Sequence, residues 1–355
     1  MLELLASLVA IPSLSRQEGD AADTVAAFAT GAGFDVRRKG NNVIFELGQG
    51  PPRLLLNSHI DTVPPCDGWD SDPYIPVVED HRLTGLGAND AKGCVTAILL
   101  AAGKLGESWI TRGTLVIAIT AEEEIGGAGG ITSILPELGQ LDAAVFGEPT
   151  GMAPCLGQRG MLLLDCLAQG ESGHVAHASQ LRLRNAIHQA AADVTALSDL
   201  SFEPYIDWTG KTHLTGAQTT VIRGGISANQ VPDACEFRVD LRTTPNLDQE
   251  QVLAAIKRTI GSPIAKVSAR YRPRTVDPHS PIASAALHAT GKPAFFSDTV
   301  SDWSLVEDIP AVKIGPGDSR RSHRPNEFLL ASELAEGVEV YVRLIEEFFR
   351  EWPHG

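Results

Sequence analysis

Three apolar runs in this 355-residue chain each stop at residues able to bind metals or move protons: LLLN at SHID, VIAIT at AEEE and AAVF at GEPT. A fourth, AVKIGPGD, leads to the histidine of RRSH. The groups so placed are His59, Asp61, Glu122 to Glu124, Glu148 and His323. Carboxylates and imidazoles gathered together repel or neutralise one another unless a cation lies among them. Imidazole with carboxylate and without thiolate suits zinc, manganese, cobalt or iron, with zinc the first expectation. In an extended chain, side chains at i and i+2 share a face. His59 and Asp61 can therefore touch or share a ligand, or simply face water at a strand end.

Those groups meet only if the runs that carry them are parallel neighbours. Helical apolar spacing over Ser15 to Gly31 and Lys92 to Leu105 alternates with strand-like runs at Asp35 to Arg37, Val43 to Leu47, Arg53 to Asn57, Thr114 to Thr120 and Ala143 to Phe146. Strands apolar on both faces, interleaved with helices, predict an α/β, mainly parallel, doubly wound sheet covered on both sides. Ligands of such sheets bind beyond the carboxyl ends of the strands, where all four runs deliver their charged residues. Asp90 lies in GLGANDAKG just before the Lys92 helix. On position alone it reads as a helix N-cap; alternatively, the rigid glycine-rich turn holds it between two ions.

The texture changes near Gly160, where strand-like Leu162 to Ala168, Thr219 to Arg223 and Cys235 to Arg242 accompany helical Asn185 to Ser198 and Asp248 to Ile260. This predicts an inserted α+β domain over 160–270 in a host domain of 1–159 and 271–355. The first style returns with Ala311 to Gly315 and a closing helix over Leu330 to Glu347. A formal charge of -15 argues against nucleic acid or anionic membrane as a partner. Five scattered cysteines without a CxxC pair suggest reduced thiols in a cytoplasm. The opening MLELLASLVAIPS carries Glu3 and breaks at Pro12, so it reads as a first helix and not as a signal peptide or membrane span.

HID at His59 to Asp61, WDSDPY followed by LTGLGANDAKG, AEEEIGG, GEPT, SGHVAH, NQVP and SHRPNE resemble, in order and spacing, the M20 family of co-catalytic zinc amidohydrolases and peptidases. The motifs span most of the chain and look most like the acetylornithine deacetylase and succinyl-diaminopimelate desuccinylase group. The resemblance implies two Zn2+ per subunit, with Co2+ or Mn2+ as substitutes. Asp90 would be shared between the ions, His59 and Glu148 would hold one, and Glu124 and His323 the other. Asp61 would orient the His59 ring. Glu123, left uncoordinated, would take a proton from the attacking water and return it to the departing amine.

The implied reaction is hydrolysis of an N-acyl amino acid, first of all N-acetyl-ornithine. Succinyl-diaminopimelate, N-acetyl-lysine, N-acetyl-citrulline or a dipeptide are the alternatives. The inserted domain would be a lid that builds a homodimer and lends His174 to the neighbouring subunit's oxyanion. Asn229 and Arg242 would grip the substrate's α-carboxylate, although Arg242 also reads as a plain surface arginine. Gly317 either shapes the pocket beside His323 or makes a simple turn. The glycines at 126–130 read as a helix entry, and Asp298 and Asp302 as helix caps.

Overall fold

Strand Arg53–His59 is buried along almost its whole length because it has a partner on each side and helices across it. The computed structural model describes residues 1–106 and 113–352, and in it the chain forms two units. The first comprises Met1–Gly157, Thr275–Phe296 and Ser301–Gly355; the second comprises Gln158–Arg274 and Ser297–Val300.

The first unit opens with α1 (Leu2–Val9), α2 (Gly19–Gly31), β1 (Arg37–Lys39), β2 (Asn42–Gln49) and β3 (Arg53–His59). The short β4 (Val77–Glu79) and β5 (Arg82–Thr84) follow, then α3 (Lys92–Leu105), β6 (Gly113–Thr120), β7 (Ala143–Phe146) and β8 (Cys155–Gln158). In the second unit lie β9 (Gly160–Gln169), α4 (Ala186–Ser198), β10 (Ala217–Gly224), β11 (Ala234–Thr243), α5 (Gln249–Thr259) and β12 (Ile264–Tyr271). The chain then returns with α6 (Pro281–Thr290), β13 (Phe295–Ser297), β14 (Ala311–Lys313), β15 (Phe328–Leu330) and α7 (Ala331–Glu351).

The large sheet runs β1-β2-β6-β3-β7-β14-β8, with β13 beside β8. Its centre is parallel: β3 pairs in parallel with β6 and β7, and β14 with β7. Antiparallel strands extend it on both sides, β2 against β6 and β8 against β14, so the sheet is mixed around a parallel core. That core puts the carboxyl ends of β6, β3, β7 and β14 on one edge. Helix α3 packs on β3 and against α7, and its inner side is almost wholly apolar. Helix α2 begins at Gly19 and not at Ser15, because Ser15 donates its hydroxyl to Asp61 and Arg16 takes a positive φ of 75°.

In the second unit the strands run β10-β11-β9-β12, all antiparallel. Burial alternates along β9 and β11, as a sheet with one solvated face requires. The covered face packs Leu162, Leu164, Phe237, Val239 and Leu241 against Val252 and Ile256 of α5 and Ala190 and Leu197 of α4. Asn185 and Asp248 cap these two helices through their side-chain oxygens. Among the described residues, no helix is long and apolar enough to cross a membrane.

Candidate metal centre

His59 ends β3 with its ring buried, 2% exposed. Its Nδ1 donates to the Asp61 carbonyl oxygen at 3.1 Å, with the Asp61 carboxylate at 3.4 Å. That bond fixes the tautomer and aims the Nε2 lone pair outward. Nε2 looks onto carboxylate oxygens only: Asp90 Oδ1 at 3.3 Å, Glu123 Oε2 at 3.9 Å and Glu148 Oε1 at 3.9 Å. A nitrogen surrounded by acceptors is satisfied by a positive charge in their midst, either its own second proton or a metal ion.

Asp90 turns its second oxygen elsewhere. Its Oδ2 lies 3.7 Å from His323 Nε2, which is 3.0 Å from Glu124 Oε1. Each oxygen of Asp90 thus serves a different histidine. The helix-cap reading of Asp90 falls away, since α3 is preceded by Ala91 at its N-cap and has no side-chain cap bond.

Asp61 does more than orient a ring. Its Oδ1 accepts the Glu123 amide and its Oδ2 the Glu124 amide, both at 3.0 Å, and Oδ2 also accepts the Ser15 hydroxyl at 2.7 Å. One fully buried carboxylate therefore sets the backbone of both glutamates. Burial alone would push Asp61 up, but His59, Ser15 and the Glu124 amide hold it below its ordinary value. Glu122 turns away at φ 57°, and its carboxylate accepts from the Gly129 amide. The 126–130 glycines wrap this side chain, and a Cβ on Gly127 would sit 1.8 Å from Glu122 Oε2.

The acids strain against one another. Burial, with Asp90 and Glu124 adding, pushes Glu148 up to about 8 against the pull of His59 and Lys313. Burial and the neighbouring Glu148 and Asp302 push Glu123 well up despite His59. Burial would lower His59, yet Glu123, Asp61, Asp90 and Glu148 raise it well above its ordinary value. Two sets of ligand atoms, His59 with Asp90 and Glu124, and His59 with Glu123 and Glu148, each lie within 4.8 Å of one another. This donor set fits divalent cations, whose charge would relieve the strain.

Gly317 has φ 91°, and a Cβ there would lie 2.3 Å from Asn89 Oδ1. A side chain at this position is excluded on both counts. Of the aspartates read as caps, Asp298 pairs with Arg159 at 2.7 Å, and Asp302 is buried with Oδ2 3.5 Å from Thr120 Oγ1. The remaining expected residues belong to the second unit. His174 is exposed, its Nδ1 accepting from the Ala176 amide, and it pairs with Gln230 next to Asn229. Arg242 is engaged by Asp240 through two bonds of 2.9 and 3.0 Å.

A family model described as peptidase family M20/M25/M40 matches residues 55–347. The chain belongs to that family. This M20 protein is 30% identical to a succinyl-diaminopimelate desuccinylase of Stenotrophomonas maltophilia (strain R551-3), over 98% of both chains. It is 27% identical to an acetylornithine deacetylase of Shigella sonnei (strain Ss046), over 98% of this chain and 97% of the relative. Among solved structures, the fold of the M20 protein resembles aminopeptidase PepT of Bacillus cereus ATCC 10987, with TM-score 0.80, 21% identity and 98% of both chains covered. It also resembles a dinuclear metal-binding M20 peptidase of Bacillus subtilis, with TM-score 0.73, 17% identity, and 98% and 97% of the two chains covered. The M20 protein is an amide or peptide hydrolase of a metal-dependent family.

Proposed function

We propose that the protein removes the acyl group of an N-acyl amino acid at a two-ion centre, with N-acetyl-ornithine the first candidate substrate. The observation that carries this reading is the division of Asp90, with one oxygen toward His59 and the other toward His323. His59, Glu148 and Asp90 would hold one Zn2+, and Glu124, His323 and Asp90 the other, with Co2+ or Mn2+ able to replace zinc. Bound ions supply a polarised carbonyl and an acidified water.

The chain's own residues supply the proton path. Glu123 takes the proton of the attacking water and returns it to the leaving amine. Burial, which disfavours its charged form, suits it to that exchange. Asp61 keeps Glu123 in place through its amide. His174 from a neighbouring subunit is assigned to the oxyanion, Asn229 and Arg242 to the substrate's α-carboxylate, and Gly317 to the shape of the pocket beside His323. A homodimer built through the inserted domain is supported by the exposed apolar Val221 and Ile222 on edge strand β10 and Ile226 just beyond it. A cytoplasmic setting is supported by the absence of any disulfide among the described cysteines.

The 30% identity to a desuccinylase favours succinyl-diaminopimelate as the second reading. Amine release from N-acetyl-ornithine, N-acetyl-lysine, N-acetyl-citrulline, succinyl-diaminopimelate and a dipeptide, with and without chelator, decides between them. Chelator-sensitive turnover of the first is expected. Turnover of succinyl-diaminopimelate alone would replace both the acyl group and the amino acid in this reading, and silence across the panel would overturn it.

A further inference from the structure

The turn that presents Asp90 is held by a carboxylate to which no role has been assigned. Glu327, only 2% exposed, accepts the amide hydrogens of Asn89 and Asp90 on its Oε1, both at 2.8 Å. Its own carbonyl accepts from Gly85, at the start of the same glycine-rich stretch. The grip is returned by Asn89. Asn89 Oδ1 accepts the Asp318 amide at 2.9 Å, while Nδ2 donates to the Asp318 carbonyl at 3.1 Å and to Ser322 Oγ at 3.2 Å. The bare Cα of Gly317 leaves room for that amide.

Two segments far apart in sequence are thus clasped, one carrying Asp90 and the other His323. The bonds use main-chain groups and the side chains of Asn89, Ser322 and Glu327; Ser322 also hydrogen-bonds the Asp90 carboxylate, whose two oxygens point at His59 and His323. We propose that Glu327 is a positioning residue: by fixing two consecutive amides it aims the Asp90 carboxylate so that each ion receives one oxygen. This rests on the two-ion reading. Two consecutive amides donating to one buried oxygen at 2.8 Å leave the turn one orientation. Without the acceptor, two buried N–H groups lack a partner and the turn must rearrange to find one.

Three variants test it: Glu327→Leu, Glu327→Gln and Glu327→Asp. Each full-length protein is stripped of metal, its thermal midpoint recorded, and then titrated with zinc by calorimetry and with cobalt by absorption. Glutamine retains an oxygen able to accept the Asn89 and Asp90 amides and loses only the contact of the other carboxylate oxygen with the Gly87 amide, so E327Q should bind two ions with an affinity and cobalt spectrum closer to wild type than those of E327L. E327L should lose about 10- to 100-fold in zinc affinity, the range seen when partners behind metal ligands are removed, and its cobalt spectrum should change. If E327L does not fold, E327D, one methylene too short to reach both amides, should show the same loss. Two ions bound by E327L or E327D with wild-type affinity and spectrum would overturn the proposal, as would an E327Q as impaired as E327L. A wild-type protein that binds fewer than two ions would overturn the two-ion reading instead.

Discussion

Replacing Asp61 by asparagine changes one oxygen into an NH2 group and nothing in size. Both Asp61 oxygens are committed, Oδ1 to the Glu123 amide and Oδ2 to the Glu124 amide and Ser15. The Ser15 hydroxyl can turn to accept, but a main-chain N–H cannot. Whichever way the asparagine flips, its NH2 faces one glutamate amide, and a buried donor goes unsatisfied at a cost of about 1–3 kcal/mol. If local opening governs exchange, that cost makes the amide exchange roughly 5- to 150-fold faster. Hydrogen-exchange mass spectrometry on metal-free protein, followed in the peptide covering residues 121–125, reads this directly. Turnover should fall as well, by up to about 100-fold, because a base displaced by an ångström is no longer aligned with its proton. Asp61→Ala should unprotect both amides. Wild-type protection at 123 and 124 in D61N, with unchanged kcat, would show that the Asp61 carboxylate does not set the glutamate backbone.

Three further outcomes are expected. Glu123→Gln should keep both ions by calorimetry and lose about 10²- to 10⁴-fold in kcat, whereas retained turnover would remove Glu123 from the proton path. Gly127→Ala should destabilise the first unit in urea unfolding even with metal removed, since the new methyl would sit 1.8 Å from Glu122 Oε2; an unchanged midpoint would show that the 126–130 turn yields freely. In the second unit, burial would raise Asp207, but Thr209, His213 and the Lys211 amide hold it at about 2 against an ordinary 3.8. A depressed carboxyl stabilises the fold above its unfolded value, so the hairpin that pairs Tyr205 and Ile206 with His213 and Thr212 should loosen as pH falls from about 4 to about 2. Limited pepsin cleavage near residues 205–213 would detect the loosening, and Asp207→Asn should abolish that pH dependence.

Helix α3 is legible to the residue, because apolar positions at helical spacing run from Lys92 to Leu105 and a glycine follows. The three central strands are equally plain, being apolar on both faces and bounded by charge. Strand β12 went unread because it carries lysine, serine and arginine and is half-exposed along its length. The short β4, β5 and β15 went unread because three residues hold too little periodicity. In the site, the residues at strand ends announced themselves by type. Glu327 and Asn89 stood inside quoted motifs yet received no role, since their function lies in bonds to main-chain groups more than two hundred residues away. No local pattern encodes such a partner.

The order of the large sheet bears on how the chain is made. Strand β7 is paired on one side by β3, which precedes it, but on the other by β14, which begins only at Ala311. At synthesis rates of about 5–20 residues per second, β7 waits roughly ten to thirty seconds on the ribosome for its second neighbour. During that interval Ala143–Phe146 offers an open, wholly apolar edge of the kind that recruits other chains. The inserted unit emerges meanwhile and has its own covered core, so it can fold first. Nascent chains of this protein should therefore be most dependent on chaperones between the completion of β7 and the arrival of β14.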